Sequence, residues 1–238
     1  MLLENFRPTS KLVTKTTLVE RPKFPAIDAH NHLGHFGGNA IETATIDEVC
    51  DQLDQAGITH YVDLDGGWGE DILQKHLDYV APRQDRFQVF GGVDWAKWPE
   101  LGDAFPEYAA RRLEAQKSWG AQGLKIWKPF GLHVRDQHGD LVKVDDPRLD
   151  PIWQAAGKLK LPVLIHVADP VAFFDPIDET NERWEEIGAN PDWAFTSPPF
   201  PPFMDILNGF YNLVKRHRNT TLQFPFTIRS RSERWQKS

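Results

Sequence analysis

The chain is 238 residues long, 40% hydrophobic and 26% charged, which suits one large domain or two small ones around a sizeable core. A net charge of −7 argues against a nucleic-acid or anionic-membrane partner, and the single cysteine, Cys50, excludes an intrachain disulfide and a thiolate-built zinc site. No run approaches transmembrane length and residues 1–24 lack the apolar core of a signal peptide, so a cytoplasmic protein acting on a small molecule is expected.

In chain order, residues 1–24 mix charge, threonine and proline without periodicity and read as an N-terminal arm. An apolar strand then ends at His30 and His32 and leads into a loop with Gly34, Gly37 and Gly38. Ile46, Val49, Leu53 and Ala56 share a helical face between Thr45 and Gly57, the start and stop residues of that helix. Ile58–Leu64 is strand-like; Ile72, Leu73, Leu77 and Val80 return to helical spacing and stop at Pro82. Phe87–Val93 is a third strand, 104–119 a helix, 121–127 a fourth strand, and 129–146 a polar loop. A helix over 149–159 precedes the fifth strand, Val163–Val167, and a long proline-rich connection precedes a helix through Ile206, Phe210, Leu213 and Val214. Residues 221–228 read as a sixth strand. Nine tryptophans and 18 prolines fall largely in the connections, where aromatic side chains either wall a pocket or cover the core.

Strand and helix alternating at this spacing indicate a parallel sheet with helices packed on it. The near-continuous apolar run at 163–167 indicates burial on both faces. No glycine fingerprint for a dinucleotide follows the first strand, which disfavours the doubly wound sheet. His30, His32, Asp65, Asp94, Lys125, His166 and Asp169 instead stand at strand C-termini, where (β/α)8 barrels keep their chemistry. A TIM-barrel-like α/β fold is therefore expected.

His30 and His32, two apart on a strand, face the same way, so both imidazoles can reach one ion, and Asp28, of the same parity, could orient one of them. Asp28-Ala29-His30-Asn31-His32 on strand one, Gly123-Leu124-Lys125-Ile126 on strand four and Leu164-Ile165-His166-Val167-Ala168-Asp169-Pro170 on strand five together resemble the amidohydrolase superfamily, in particular the amidohydrolase-related family of metal-dependent hydrolases and decarboxylases. The resemblance implies a divalent ion, zinc or else manganese, bound by His30, His32 and His166. It implies water activated for attack on a C–N, ester or lactone bond, or alternatively decarboxylation of a small aromatic or unsaturated acid. Lys125 reads as a substrate-binding or structural residue in preference to a carbamylated metal bridge. Of the other histidines, His60 falls at the far end of the barrel and His76 and His217 on helix surfaces; His35 could line the pocket, and His133 and His138 lie in a solvated loop.

The family pattern runs to about residue 220. Its strand-six histidine and strand-eight aspartate have no counterpart in residues 221–238, so 25–238 is expected to form an incomplete barrel of about six βα units with a divergent tail, as a shifted frame or altered splice would leave. Such an arc would expose interior side chains and two strand edges, inviting a homo-oligomer. A catalytically impaired remnant or binding protein is the rival reading. The related deoxyribonuclease barrels place a glutamate on strand four, where this chain has Lys125.

Overall fold

The alternation of β1 (Ala26–Asn31) leaves Ile27 and Ala29 exposed and half-buries Asp28 and His30, as a strand covered on one face does. The computed structural model describes residues 15, 17–19, 21–168 and 170–223. After β1 come α1 (Ala40–Thr43), α2 (Ile46–Ala56), β2 (Ile58–Asp63), α3 (Glu70–Val80), β3 (Phe87–Gly91), α4 (Trp98–Leu101), α5 (Phe105–Trp119), β4 (Gly123–Ile126), α6 (Asp150–Lys158), β5 (Val163–Ile165), α7 (Trp184–Ala189), α8 (Phe203–Arg216) and β6 (Leu222–Gln223). Local chemistry sets the ends of α2. Thr45 accepts from the Glu48 amide while Glu48 accepts from Thr45, and Gly57 closes the helix at φ 73°, a conformation that favours glycine.

All six strands are parallel and lie in the order β1-β2-β3-β4-β5-β6. A doubly wound sheet reverses direction at a switch point; this one does not, which is the order of a (β/α) barrel. It is also curled. In a flat sheet β1 and β5 would stand four strand spacings apart, roughly 19 Å, yet the His30 and His166 rings at their ends are 6.4 Å apart between centroids. The described residues thus form a six-stranded arc of a (β/α) barrel.

Outside the arc, Leu33, Leu53, Tyr61, Leu73, Phe87 and Val89 build one apolar cluster under α2 and α3. A larger one under α5, α6 and α8 contains Trp98, Phe105, Leu124, Ile126, Trp153 and Leu213. The inner face corrects the expectation of a wetted interior. Val62, Leu64, Phe90 and Leu164 form their own buried cluster, and the Phe90 ring lies so close over Gly123 that a Cβ there would meet it at 2.3 Å. A large side chain from one strand fills the space left by a glycine on its neighbour.

Other expectations change as well. The 129–146 loop is not simply solvated: Phe130, Leu132, Val134, Val142 and Val144 are buried, and buried Asp136 pairs with Arg148 at 2.8 Å. His76 and His217 are core-facing rather than surface residues, paired with Asp63 and Asp150 respectively. The tryptophans divide. Trp98 and Trp153 are core, whereas Trp68, Trp184 and Trp193 are exposed. Strand six is seen at Leu222–Gln223; residues 224–228, the rest of the tail and most of the arm lie outside the described residues. Among the described residues no helix is long and apolar enough to cross a membrane.

Candidate functional site

The end of β1 and the end of β5 deliver three imidazoles to the inner, C-terminal mouth of the arc. The His30 ring centroid lies 5.7 Å from that of His32 and 6.4 Å from that of His166. Trp127, just past β4, sets its ring 5.3 Å from His32, and Lys125 Nζ lies 5.2 Å from the Trp127 centroid. Lys125 reaches this place because β4 alternates: Leu124 and Ile126 pack toward the helices, so Gly123 and Lys125 face inward. The four residues singled out by sequence are therefore brought to one end of one face.

Sequence parity nominated Asp28 to orient an imidazole, and the structure assigns that contact elsewhere. Asp28 turns back on its own strand, accepting from the His30 amide at 3.3 Å and from Asn31 Nδ2 at 2.7 Å. Asp65, from the loop after β2, accepts from His32 Nδ1 at 2.8 Å through Oδ1 and from the Gly34 amide at 2.8 Å through Oδ2. A carboxylate only accepts, so His32 carries a proton on Nδ1, which leaves Nε2 as the nitrogen available to a metal ion. Asp65 lies beyond the end of β2, where strand alternation no longer predicts side-chain direction. Its place among the polar residues at strand C-termini was the available signal.

Burial and positive neighbours govern the charges. Burial, then Lys125 and His32, depress the His30 pKa to about 4, against a smaller opposing effect of Asp28. His166 is pushed down to about 3 by burial, with Lys128 and Lys125 adding to it. Both rings are thus neutral at pH 7, the form that ligates metals. Lys125 is 1% exposed, and its Nζ has no hydrogen-bond partner among the described residues; burial lowers its pKa to about 7 against the pull of Asp65.

This donor set, three imidazoles with one oriented by a carboxylate, has the chemistry of a site for zinc or manganese. Among the described residues no group of three His, Cys, Asp or Glu side chains is already drawn together as a metal site. The fit therefore lies in chemistry and convergence.

Around the mouth, Lys128 Nζ sits 5.0 Å over Phe173 and 6.0 Å from Phe195, and Phe195 packs against Phe174 and Phe200. His133 joins this aromatic group, at 5.2 Å from Phe200, while its side chain stays exposed. His35, His60 and His138 are exposed. Asp94 caps its own turn through the Ala96 amide, and Asp169 lies outside the described residues.

No family model and no curated protein matches this chain. Among solved structures it is similar to a provisionally named amidohydrolase from Staphylococcus aureus, at 17% identity over 75% of this chain and 57% of that one, with a TM-score of 0.43. It is similar also to 5-carboxyvanillate decarboxylase from Novosphingobium aromaticivorans, solved with manganese and 3-methoxy-4-hydroxy-5-nitrobenzoic acid, at 18% identity over 74% and 48%, TM-score 0.43. A provisionally named 2-pyrone-4,6-dicarboxylic acid hydrolase from Acinetobacter baumannii, with citric acid bound, matches at 14% identity over 88% and 86%, TM-score 0.40. The chain spans about half the length of the first two.

Proposed function

We propose that this chain is a metal-dependent hydrolase of the amidohydrolase type, acting on a C–N, ester or lactone bond of a small organic substrate. The observation that carries the reading is the convergence of His30, His32 and His166, the last from four strands away, beside a His32–Asp65 pair. Zinc is the ion we propose, with manganese as substitute, held by these three histidines. Bound there, it would supply a Lewis acid for the substrate carbonyl and lower the pKa of water toward about 7.

The chain's own residues do the rest. Asp65 holds His32 in one tautomer, so its Nε2 lone pair needs no reorganisation. His30 and His166 stay neutral because their surroundings disfavour a proton. Lys125 offers a buried ammonium with unused donors, and an anionic group on the substrate would raise its pKa again and complete the ion pair. The Trp127 ring beside it suits a flat substrate.

One observation favours decarboxylation as a second reading. Asp28 and Asp65 each accept a protein donor at both oxygens, which ties these carboxylates to holding the loop and the His32 ring. Losing carbon dioxide needs no activated water; it leaves an electron pair on the substrate carbon, which must then be protonated.

The test is metal content of the purified chain beside His30→Ala and His166→Ala. Near-stoichiometric zinc or manganese in the wild type, lost in both variants, supports the reading; a folded wild type that takes up neither ion defeats it. Turnover of lactones and amides against aromatic carboxylic acids then separates the two reactions.

A further inference from the structure

Asp63 is fully buried at the end of β2, and its partner on α3, His76, is 5% exposed. His76 Nδ1 donates to Asp63 Oδ2 at 2.5 Å. A pair like this could serve only to tie a helix to its strand. The other carboxylate oxygen argues for more. Asp63 Oδ1 accepts from the Leu33 amide at 3.0 Å and from the Asp65 amide at 3.2 Å. Leu33 is the residue after His32, and Asp65 is the residue that holds the His32 ring.

Two carboxylates two residues apart thus grip the loop after β1 from both sides. Asp63 takes the Leu33 amide, and Asp65 takes the Gly34 amide and the His32 ring. Asp65 lies close against this turn: a Cβ on Gly34 would meet its Oδ2 at 2.8 Å. Asp63 thus bonds the backbone of Asp65, and His76 bonds Asp63 in turn.

We propose that His76 is a positioning residue for the His32 side of the site, acting through Asp63 on the backbone of Leu33 and Asp65 and so setting the tautomer and place of the His32 imidazole. This deepens the metal-dependent reading and, where it concerns ion affinity, rests on it. A ligating ring held by a chain of hydrogen bonds costs no ordering when the ion arrives, and loss of such outer partners typically weakens metal binding about 10- to 100-fold.

The experiment compares wild type, His76→Leu and Asp63→Leu by two readouts. The first needs no metal: ring-nitrogen shifts of 15N-labelled histidine in the apo protein, which report the tautomer of each imidazole. Wild-type His32 is expected as the Nδ1–H form, and both variants are expected to show it averaged between tautomers. The second is the affinity for Zn²⁺ alone, expected to fall about tenfold or more in both. Asp63→Leu is close to aspartate in size, removes the acceptor for both amides and leaves no buried unpaired charge, so it decides the matter if His76→Leu does not fold. Unchanged His32 shifts in a folded variant overturn the positioning role, as does a wild-type His32 protonated on Nε2. Loss of fold in both variants assigns the pair to stability and overturns it too. A wild type that binds no Zn²⁺ yet shows the expected tautomer change defeats the metal reading while leaving the clamp standing.

Discussion

The two sides of the site are built on opposite physical terms. On the β1–β2 side, Asp28, His32, Asp63 and Asp65 are tied by hydrogen bonds to the backbone or to one another. On the β4–β5 side such bonds are missing at Lys125, whose amine has none among the described residues, and burial is the leading cause of the lowered pKa of Lys125 and His166, as it is of His30 across the site. One side spends its polar groups on holding a geometry. The other keeps a buried amine, only partly protonated at pH 7, where an anionic ligand can draw a proton onto it. A buried ammonium without a partner is destabilising for the fold, so it is the side on which stability and binding are expected to pull apart.

That contrast breaks most visibly at Lys125. Its folded-state pKa of about 7 lies below the ordinary 10.5, so between those pH values the unfolded chain holds a proton that the folded protein does not. Stability therefore rises as pH goes from 7 toward 10.5. Lys125→Met removes that slope. It is expected to stabilise the protein at pH 7 by roughly 3–5 kcal/mol and to gain progressively less as pH approaches 10.5, measured by urea unfolding at several pH values. An identical pH profile in the variant would show that the ammonium is not desolvated in the folded protein. His30 and His166 have the same sign in a lower window. Stability contributed by their neutral forms is lost as pH falls from 6.5 toward 4 and 3 respectively.

Next in size is the joint between the two sides, where Phe90 of β3 lies across Gly123 of β4. Phe90→Ala leaves a void on the inner face that a glycine on the neighbouring strand cannot fill. A loss of about 3–5 kcal/mol is expected by chemical denaturation. A loss below about 1 kcal/mol would mean that the inner face is as wet as an open arc suggests.

Much of this was legible in the sequence, and the failures share a cause. The period of two places His30 with His32, and their position at strand C-termini brings Lys125 and His166 to the same end of the sheet. Thr45 and Gly57 bounded a helix by chemistry that needs no tertiary context. His76 is buried where a surface position is expected, on a helical face it shares with Leu73 and Val80, both buried. The pattern held the information, but a histidine on an apolar face says nothing of its partner. Asp63 is thirteen residues away, beyond the reach of any local rule. The burial of Val62, Leu64, Phe90 and Leu164 was missed because it depends on the Phe90–Gly123 fit between neighbouring strands, which no single strand displays.

The smallest effect in this series is also the one that separates reading by parity from reading by contact. Asp28 and Asp65 are both carboxylates at the site, and strand alternation favours Asp28 as the residue that orients an imidazole. Contact favours Asp65, since Asp28 already bonds the His30 amide and Asn31 Nδ2, while Asp65 touches a ring nitrogen. An amide in place of Asp65 could present its NH₂ to His32 Nδ1 or accept more weakly from it, and either way the charge that favours the Nδ1–H tautomer is gone. Asp65→Asn is therefore expected to weaken Zn²⁺ binding by about tenfold. Asp28→Asn keeps an acceptor for the His30 amide and disturbs only a bond on its own strand, so its effect is expected to stay within about twofold, which is under about 0.5 kcal/mol. Calorimetric titration of both variants with Zn²⁺ measures the difference directly. If Asp28→Asn were the more damaging, the His32–Asp65 bond would be incidental, and the ion would be governed from β1 alone.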